Sequence, residues 1–155
     1  MVRFTRFFPA TLARIQSGLQ VNLRDGTVKT RGSFDLRTTN LGQVVLPTPI
    51  DQKKWTLPNG CSLRSPLSTS FQDVVESFDE RDTFIFIIDK GTPIPKDLVL
   101  ILERGDHFSF QCARSMTLQE LNDRLTKFLE TRSMRMTKDV YQTKYPAGEM
   151  NDYLD

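Results

Sequence analysis

Residues 91–129 decide the fold, and they read GTPIPKDLVLILERGDHFSFQCARSMTLQELNDRLTKFL. The two prolines near the start exclude a helix there, because proline lacks an amide donor and fixes φ. The apolar run Leu98–Glu103 and the alternating run His107–Cys112 then flank Gly105-Asp106. A two-residue loop that begins with glycine, placed between two strand-like runs, predicts an antiparallel β-hairpin.

A helix is predicted directly after this hairpin. Thr117 and Glu120 have the spacing of a capping box, in which each residue bonds the backbone amide of the other. The apolar residues that follow fall on one helical face: Leu118, Leu121, Leu125, Phe128 and Leu129. Such a stripe indicates a helix that packs against a core.

Outward from this block, the pattern predicts further strands and helices. Apolar residues at helical spacing predict a helix over 71–78, with the hydroxyl side chains of 68–70 as candidate N-caps. Strands are predicted over 10–15, 19–23, 43–46 and 84–88, the last of them buried and central, with a hairpin turn at Asp25-Gly26. A short helix is predicted over 134–145.

Many short strands with two clear helices indicate an α+β fold. We expect one domain over residues 1–155, with a core at about 9–130 and a C-terminal extension over 131–155. The hydrophobic content of 38% and the charged content of 26% are ordinary for a globular protein. The net charge of +2 argues against a protein that coats DNA.

The composition also limits metal, membrane and targeting functions. Cys61, Cys112 and a single histidine do not supply a normal zinc site, so we expect no metal. No run approaches the roughly 20 apolar residues that cross a bilayer. The arginine-rich start, free of acidic residues before Asp25, leaves mitochondrial targeting open, but Pro9 interrupts an amphipathic helix and favours a cytoplasmic protein.

The returning strand of the hairpin has a polar face. His107, Ser109 and Gln111 share it, whereas Phe108, Phe110 and Cys112 share the opposite, core-directed face. A two-residue loop pairs Arg104 with His107 and makes Glu103 a diagonal neighbour. This polar face is predicted to line either solvent at the hairpin end or a binding cleft.

Arg14 lies in an apolar context, on the same predicted strand face as Leu12. A buried arginine is costly unless an anion pairs with it. Asp35 or Glu103 would be a structural partner, and a phosphate or diphosphate ligand is the functional alternative, suited to a planar guanidinium.

The segment Pro58–Arg64 brings a turn, a thiol, a hydroxyl and a guanidinium together. Cys61 lacks the local signature of a cysteine hydrolase, and Ser62 is the better candidate for a ligand contact. Trp55, just before this segment, is either a stacking surface or a lid over the core. The chain has no phosphate-binding glycine loop, dinucleotide fingerprint or zinc-protease motif.

The chain resembles a known family in pieces that occur in order: Pro9–Arg14, Ser33–Leu36, Pro58–Arg64, Gly91–Pro95, Asp97–Leu100, Asp106–Gln111 and Met116–Leu129. They are similar to the small cytotoxic effectors of bacterial type VI secretion that have an ADP-ribosyltransferase-like fold, and especially to fungal relatives of those effectors.

This resemblance implies a split β-sandwich of two antiparallel sheets with a few helices, and NAD bound in the cleft between the sheets. It implies that Arg14 holds the NAD ribose and phosphates, that Ser62 orders the site and that Arg64 and His107 contact the cofactor. The family's glutamate binds the ribose and stabilises an oxocarbenium-like transition state, as negative charge placed near developing positive charge does. Glu103 is the candidate for that role.

The expected function is therefore that of a cytotoxic ADP-ribosyltransferase-like protein. It would bind NAD and transfer ADP-ribose to a macromolecular acceptor, or hydrolyse NAD, with Arg14, Ser62, Glu103 and His107 as catalytic residues. The alternative is a non-catalytic fold relative that binds a protein or a nucleotide. We expect a monomer outside the membrane, with an unidentified acceptor and a neutralising immunity protein as partners.

Overall fold

The structure is a computed structural model that describes residues 1–28, 32–39, 43–50 and 58–146. Trp55, the loop at 40–42 and the tail at 147–155 lie outside the described residues. The elements are β1 (Val2–Phe4), β2 (Leu12–Ser17), β3 (Val44–Val45), β4 (Cys61–Leu63), α1 (Thr69–Ser77), β5 (Thr83–Ile88), β6 (Leu98–Arg104), β7 (His107–Cys112), β8 (Met116–Thr117), α2 (Leu118–Arg132), β9 (Met134–Thr137) and α3 (Lys138–Lys144).

The strands form antiparallel sheets, which confirms the predicted α+β fold. Within the described ranges, the largest sheet has the order β1-β6-β7-β4, and a three-stranded sheet has the order β2-β5-β9. The short strands β3 and β8 pair separately as a two-stranded ladder, an addition to the two sheets that were expected.

The hairpin that opened the sequence argument is confirmed. β6 and β7 pair antiparallel, Arg104 lies opposite His107, and Gly105 has φ of +51° at the first loop position. Glycine tolerates this conformation because it has no Cβ. Phe108 and Phe110 are buried, as the alternation predicted.

α2 begins with the predicted capping box. Thr117 accepts from the amide of Glu120, and the Glu120 side chain accepts from the amide of Thr117. Its apolar face packs into the main core, where Phe128 stacks on Phe8 at 5.6 Å and meets Phe110 edge-on at 4.9 Å between ring centroids. The helix therefore covers the four-stranded sheet through aromatic contacts.

Predictions of secondary structure are wrong in two regions, residues 19–26 and residues 134–145. Val21 and Leu23 are buried as the alternation required, yet residues 19–23 form no strand. The amide of Val21 instead donates to Thr126 Oγ1 at 2.9 Å and that of Leu23 to Asn122 Oδ1 at 3.0 Å, so α2 takes up these donors. The predicted turn after Asp25 is present, with the Val28 amide donating to the Asp25 carbonyl at 3.3 Å, but it joins no hairpin, because Asp25 forms a parallel bridge with Leu36.

The second error concerns residues 134–145, predicted as one short helix. They form the strand β9, which pairs with β5, followed by the helix α3. Met136 and Tyr141 are buried in a second core cluster, and the Tyr141 hydroxyl donates to the carbonyl of Pro66 at 2.7 Å. This segment therefore completes the three-stranded sheet.

A short contact joins the two main sheets. Ala13 of β2 and Arg64, directly after β4, form an antiparallel bridge with N–O distances of 2.6 and 3.0 Å. The N-cap of α1, the helix that follows, is Ser68, one of the predicted candidates. Side chains of β2, β4 and α1 then line the cleft next to this bridge.

Candidate active site

Arg14 points its guanidinium at the cleft without a carboxylate partner. Its Nε donates to Gln16 Oε1 at 2.8 Å, and it forms no ion pair within the described residues. Asp35, one expected partner, is held instead by Arg24 through bonds of 3.0 Å from Nε and 2.9 Å from Nη2. The structural explanation of Arg14 as half of an ion pair is therefore wrong.

Ser62 and His107 are brought together by the pairing of β4 with β7. Ser62 lies opposite Ser109, and its Oγ is 3.0 Å from His107 Nε2. Because His107 is two residues from Ser109 on the same strand, its imidazole reaches Ser62 diagonally across the ladder. Ser62 lines the cleft, and His107 stands directly behind it.

Glu103 lies behind His107, at a β-bulge of β6. The register of β6 against β7 shifts between Leu102 and Arg104, so Glu103 and Arg104 both oppose His107. The Oε2 atom of Glu103 is 3.7 Å from His107 Nδ1, and both side chains are 15% exposed. Glu103 does not contribute to the cleft lining.

The imidazole of His107 is neutral at pH 7. Burial, together with the charges of Arg64 and Arg104, lowers the pKa of His107 to about 4 against the opposing charge of Asp106. Burial also raises the pKa of Glu103, which a hydrogen bond from Ser109 and the charge of Arg104 partly offset. Glu103 and His107 are thus a polar contact rather than an ion pair.

Arg64 lines the cleft and also contacts the loop of the hairpin. Its Nη1 donates to Asp106 Oδ1 at 3.2 Å, and Ser70 at the start of α1 donates to the other oxygen of that carboxylate. Although burial opposes it, the hydrogen bonds from Ser68 and Ser70 and the Arg64 charge leave the pKa of Asp106 lowered. This network ties the hairpin to α1 beside His107.

The rest of the predicted polar face is interior. Ser109 and Gln111 are 2% and 0% exposed, so the expectation that they line solvent or a cleft is wrong. Gln111 donates to Ser109 Oγ at 3.1 Å and accepts from Thr48 Oγ1 at 2.7 Å. Thr48 and Asn59, which precede β4 in the chain, complete this buried network, because Asn59 donates to the Thr48 hydroxyl.

Cys61 is buried beneath the site rather than in it. Burial raises the pKa of the Cys61 thiol to about 11, despite the opposing charge of Arg14. Thiolate is the nucleophilic form of cysteine, so the burial of Cys61 argues against a catalytic role for its thiol.

The cleft has a volume of about 610 Å³. Of the residues predicted for the site, Arg14, Ser62 and Arg64 line it. The sequence argument did not assign to the site the lining residues Gln16, Ser17, Gln20, Asn22, Arg24, Asp35 and Glu80. The strand period places Gln16 on the Arg14 face and could have identified it. Ser17 is the last residue of β2, and the other lining residues of this set lie in irregular segments that carry no periodic signal.

A model of the Tse2 ADP-ribosyltransferase toxin family matches residues 10–141, a range that contains the whole cleft together with Glu103 and His107. The chain belongs to this family. The resemblance noted in the sequence is thereby confirmed, and the kinship to fungal relatives stays a prediction. Searches of curated proteins and of solved structures found no match to this toxin-family chain. In the described ranges, no helix has the length and apolar character needed to cross a bilayer.

Proposed function

We propose that this member of the toxin family binds NAD in the cleft between its sheets and transfers ADP-ribose to a macromolecular acceptor or to water. In that reaction the bond between the ribose and nicotinamide breaks, and nicotinamide leaves with the bonding electrons. The acceptor atom forms the new bond to the ribose and releases its proton.

The observation that carries the proposal is Arg14, which has no carboxylate partner in the part of the chain that the structure describes. A half-buried guanidinium without a carboxylate is costly, and a diphosphate would satisfy it with paired hydrogen bonds. The cleft beside it is large enough for a dinucleotide-sized ligand and has a polar lining. Arg64 adds a second positive charge at the same margin, although Asp106 already occupies part of it.

Ser62 would contact the ribose or the nicotinamide, and His107 would support that contact from behind. Ser62 faces the cleft directly, and His107 acts through it, at 3.0 Å from its hydroxyl. Glu103 would support the site from behind the imidazole. The carboxylates that do line the cleft are Asp35, which Arg24 holds, and Glu80.

The position of Glu103 favours a second candidate, a relative that binds a nucleotide or protein without turnover. A carboxylate that stabilises a ribosyl cation must approach the ribose, and Glu103 does not reach the cleft lining. Nicotinamide release separates the two candidates, because only the enzyme produces it.

The experiment uses NAD labelled in both halves, with and without cell lysate, and follows free nicotinamide and labelled macromolecules. We expect release by the wild type and a loss of roughly 10- to 100-fold in Arg14→Ala, the equivalent of one charged hydrogen-bond pair. Arg132→Ala, at an exposed position of α2, is the matched control and should keep activity. Binding of NAD without release would favour the second candidate.

The remaining expectations are also proposals. We propose a cytoplasmic monomer with a neutralising immunity protein as its partner. Co-expression of a candidate partner that restores growth while occupying the cleft would support this, and sedimentation of the free toxin as a dimer would contradict the monomer.

A further inference from the structure

The carboxylate of Glu103 and the imidazole of His107 face each other behind Ser62. His107 Nδ1 and Glu103 Oε1 have no hydrogen-bond partner among the described residues. The second carboxylate oxygen, Oε2, is 3.7 Å from the same Nδ1. Buried polar atoms are almost always paired in native proteins, so this contact needs an explanation.

The groups around the imidazole determine which ring nitrogen carries its hydrogen. Four charged or titratable side chains lie around it. Arg64 lies directly after β4, Arg104 and Glu103 lie at the bulge of β6, and Asp106 lies in the hairpin loop. A neutral imidazole carries one hydrogen, on either Nδ1 or Nε2. With the hydrogen on Nδ1, the ring donates toward the Glu103 carboxylate and accepts from Ser62 through Nε2.

The opposite tautomer is unfavourable here. A hydrogen on Nε2 would leave the Nδ1 lone pair directed at the Glu103 carboxylate, so that two acceptors would be buried against each other without a hydrogen between them. In the register that pairs Leu102 with Phe108, the next position of β6 is Glu103, which faces His107 on the same side of the sheet, and the bulge adds Arg104 opposite the same histidine.

We infer that Glu103 is a positioning residue that holds His107 in the Nδ1–H tautomer and thereby makes Ser62 a hydrogen-bond acceptor toward the cleft. Ser62 has one hydroxyl hydrogen, and it is given to Nε2 at 3.0 Å. The remaining lone pairs of Oγ face the cleft, where they select a ligand group that donates, such as a sugar hydroxyl or a carboxamide.

The assignment of the tautomer stands by itself, whereas its effect on the ligand rests on the proposed function. His107 is the chain's single histidine, so its imidazole gives one unambiguous set of nitrogen signals. Two-bond proton–nitrogen correlation spectra distinguish a protonated from a bare ring nitrogen.

The test records these spectra at pH 7 for the wild type, Glu103→Met, Ser62→Ala and the control Glu130→Met, whose side chain is exposed on α2. We expect Nδ1–H in the wild type, in Ser62→Ala and in the control, and a shift toward Nε2–H in Glu103→Met. A hydrogen on Nε2 in the wild type would overturn the inference. So would a tautomer that changes in Ser62→Ala but not in Glu103→Met.

Calorimetry with NAD then tests the consequence for the ligand. If Ser62 must accept, Glu103→Met should weaken NAD binding about tenfold, the value of one hydrogen bond, while Glu130→Met should not change it. A wild type that fails to bind NAD refutes the proposed function and leaves the tautomer to the spectra. Equal affinities of the wild type and Glu103→Met refute the link from Glu103 to the ligand.

Discussion

Replacing Asp106 by asparagine should loosen the hairpin from α1 and destabilise the protein. The Asp106 carboxylate accepts from Ser70 and from Arg64 Nη1, the latter at 3.2 Å, and its side chain is 16% exposed. Hydrogen bonds to a charged group are worth roughly 1.5–3 kcal/mol against about 1 kcal/mol for neutral ones, so losing the charge costs about 2 kcal/mol. In a domain of this size that lowers Tm by roughly 4–8 °C.

Thermal and urea unfolding would measure this effect, with Asp73→Asn as the matched control at an exposed position of α1. The pKa of Asp106 is lowered in the folded protein, so its contribution is full above its unfolded pKa and is lost as the pH falls through its folded pKa. The difference in free energy of unfolding between the wild type and Asp106→Asn should be constant from pH 5 to 8 and decrease below about pH 4. A loss of stability no larger than that of Asp73→Asn, or a loss that does not change at low pH, would refute the reasoning.

Three further predictions concern burial and packing. The pKa of His107 should be about 4 by NMR titration. The free energy of unfolding should rise with pH between about 4 and 6.5, because in that range His107 is protonated in the unfolded chain but not in the folded protein. A pKa near 6.5 in the folded protein would contradict this prediction. Gly60→Ala should cost roughly 1–3 kcal/mol in urea unfolding, because a Cβ would lie 2.5 Å from the Phe110 carbonyl oxygen; an unchanged midpoint would exclude this contact. Tyr141→Phe should cost about 1–2 kcal/mol by leaving the Pro66 carbonyl unpaired, and full stability would show that α3 is not anchored there.

The parts of the fold that sequence predicts well are those with local signals. The hairpin follows from Gly105 between two strand-like runs, and α2 follows from the capping box at Thr117 and its apolar stripe. Both depend on residues a few positions apart, which is where turn and capping chemistry act.

The parts that sequence misses depend on distant partners. The alternation at Val21 and Leu23 gives their burial correctly, but their amides bond to side chains of α2 about 100 positions away, so no strand forms. The bulge at Glu103 is similar, because the register shift exists only once β6 and β7 are paired. Burial pattern is encoded locally, whereas the hydrogen-bond partner is not.

The candidate site divides in the same way. Sequence identifies Arg14, Ser62, His107 and Glu103 as polar groups worth examining, and the fold brings the last three into one contact chain. The sequence does not reveal that Asp35 pairs with Arg24, nor that Arg14 has no carboxylate partner among the described residues. That outcome depends on the irregular segment before β3, whose course has no periodic signature.

The binding of NAD at Arg14 tests the central claim most directly. Ligand binding raises stability by about 2.7 kcal/mol at a concentration one hundred times Kd, which at this size raises Tm by roughly 5–10 °C. We predict such a shift for the wild type and for Arg132→Ala in millimolar NAD, and a much smaller one for Arg14→Ala. No shift in the wild type, or an equal shift in Arg14→Ala, would contradict the account.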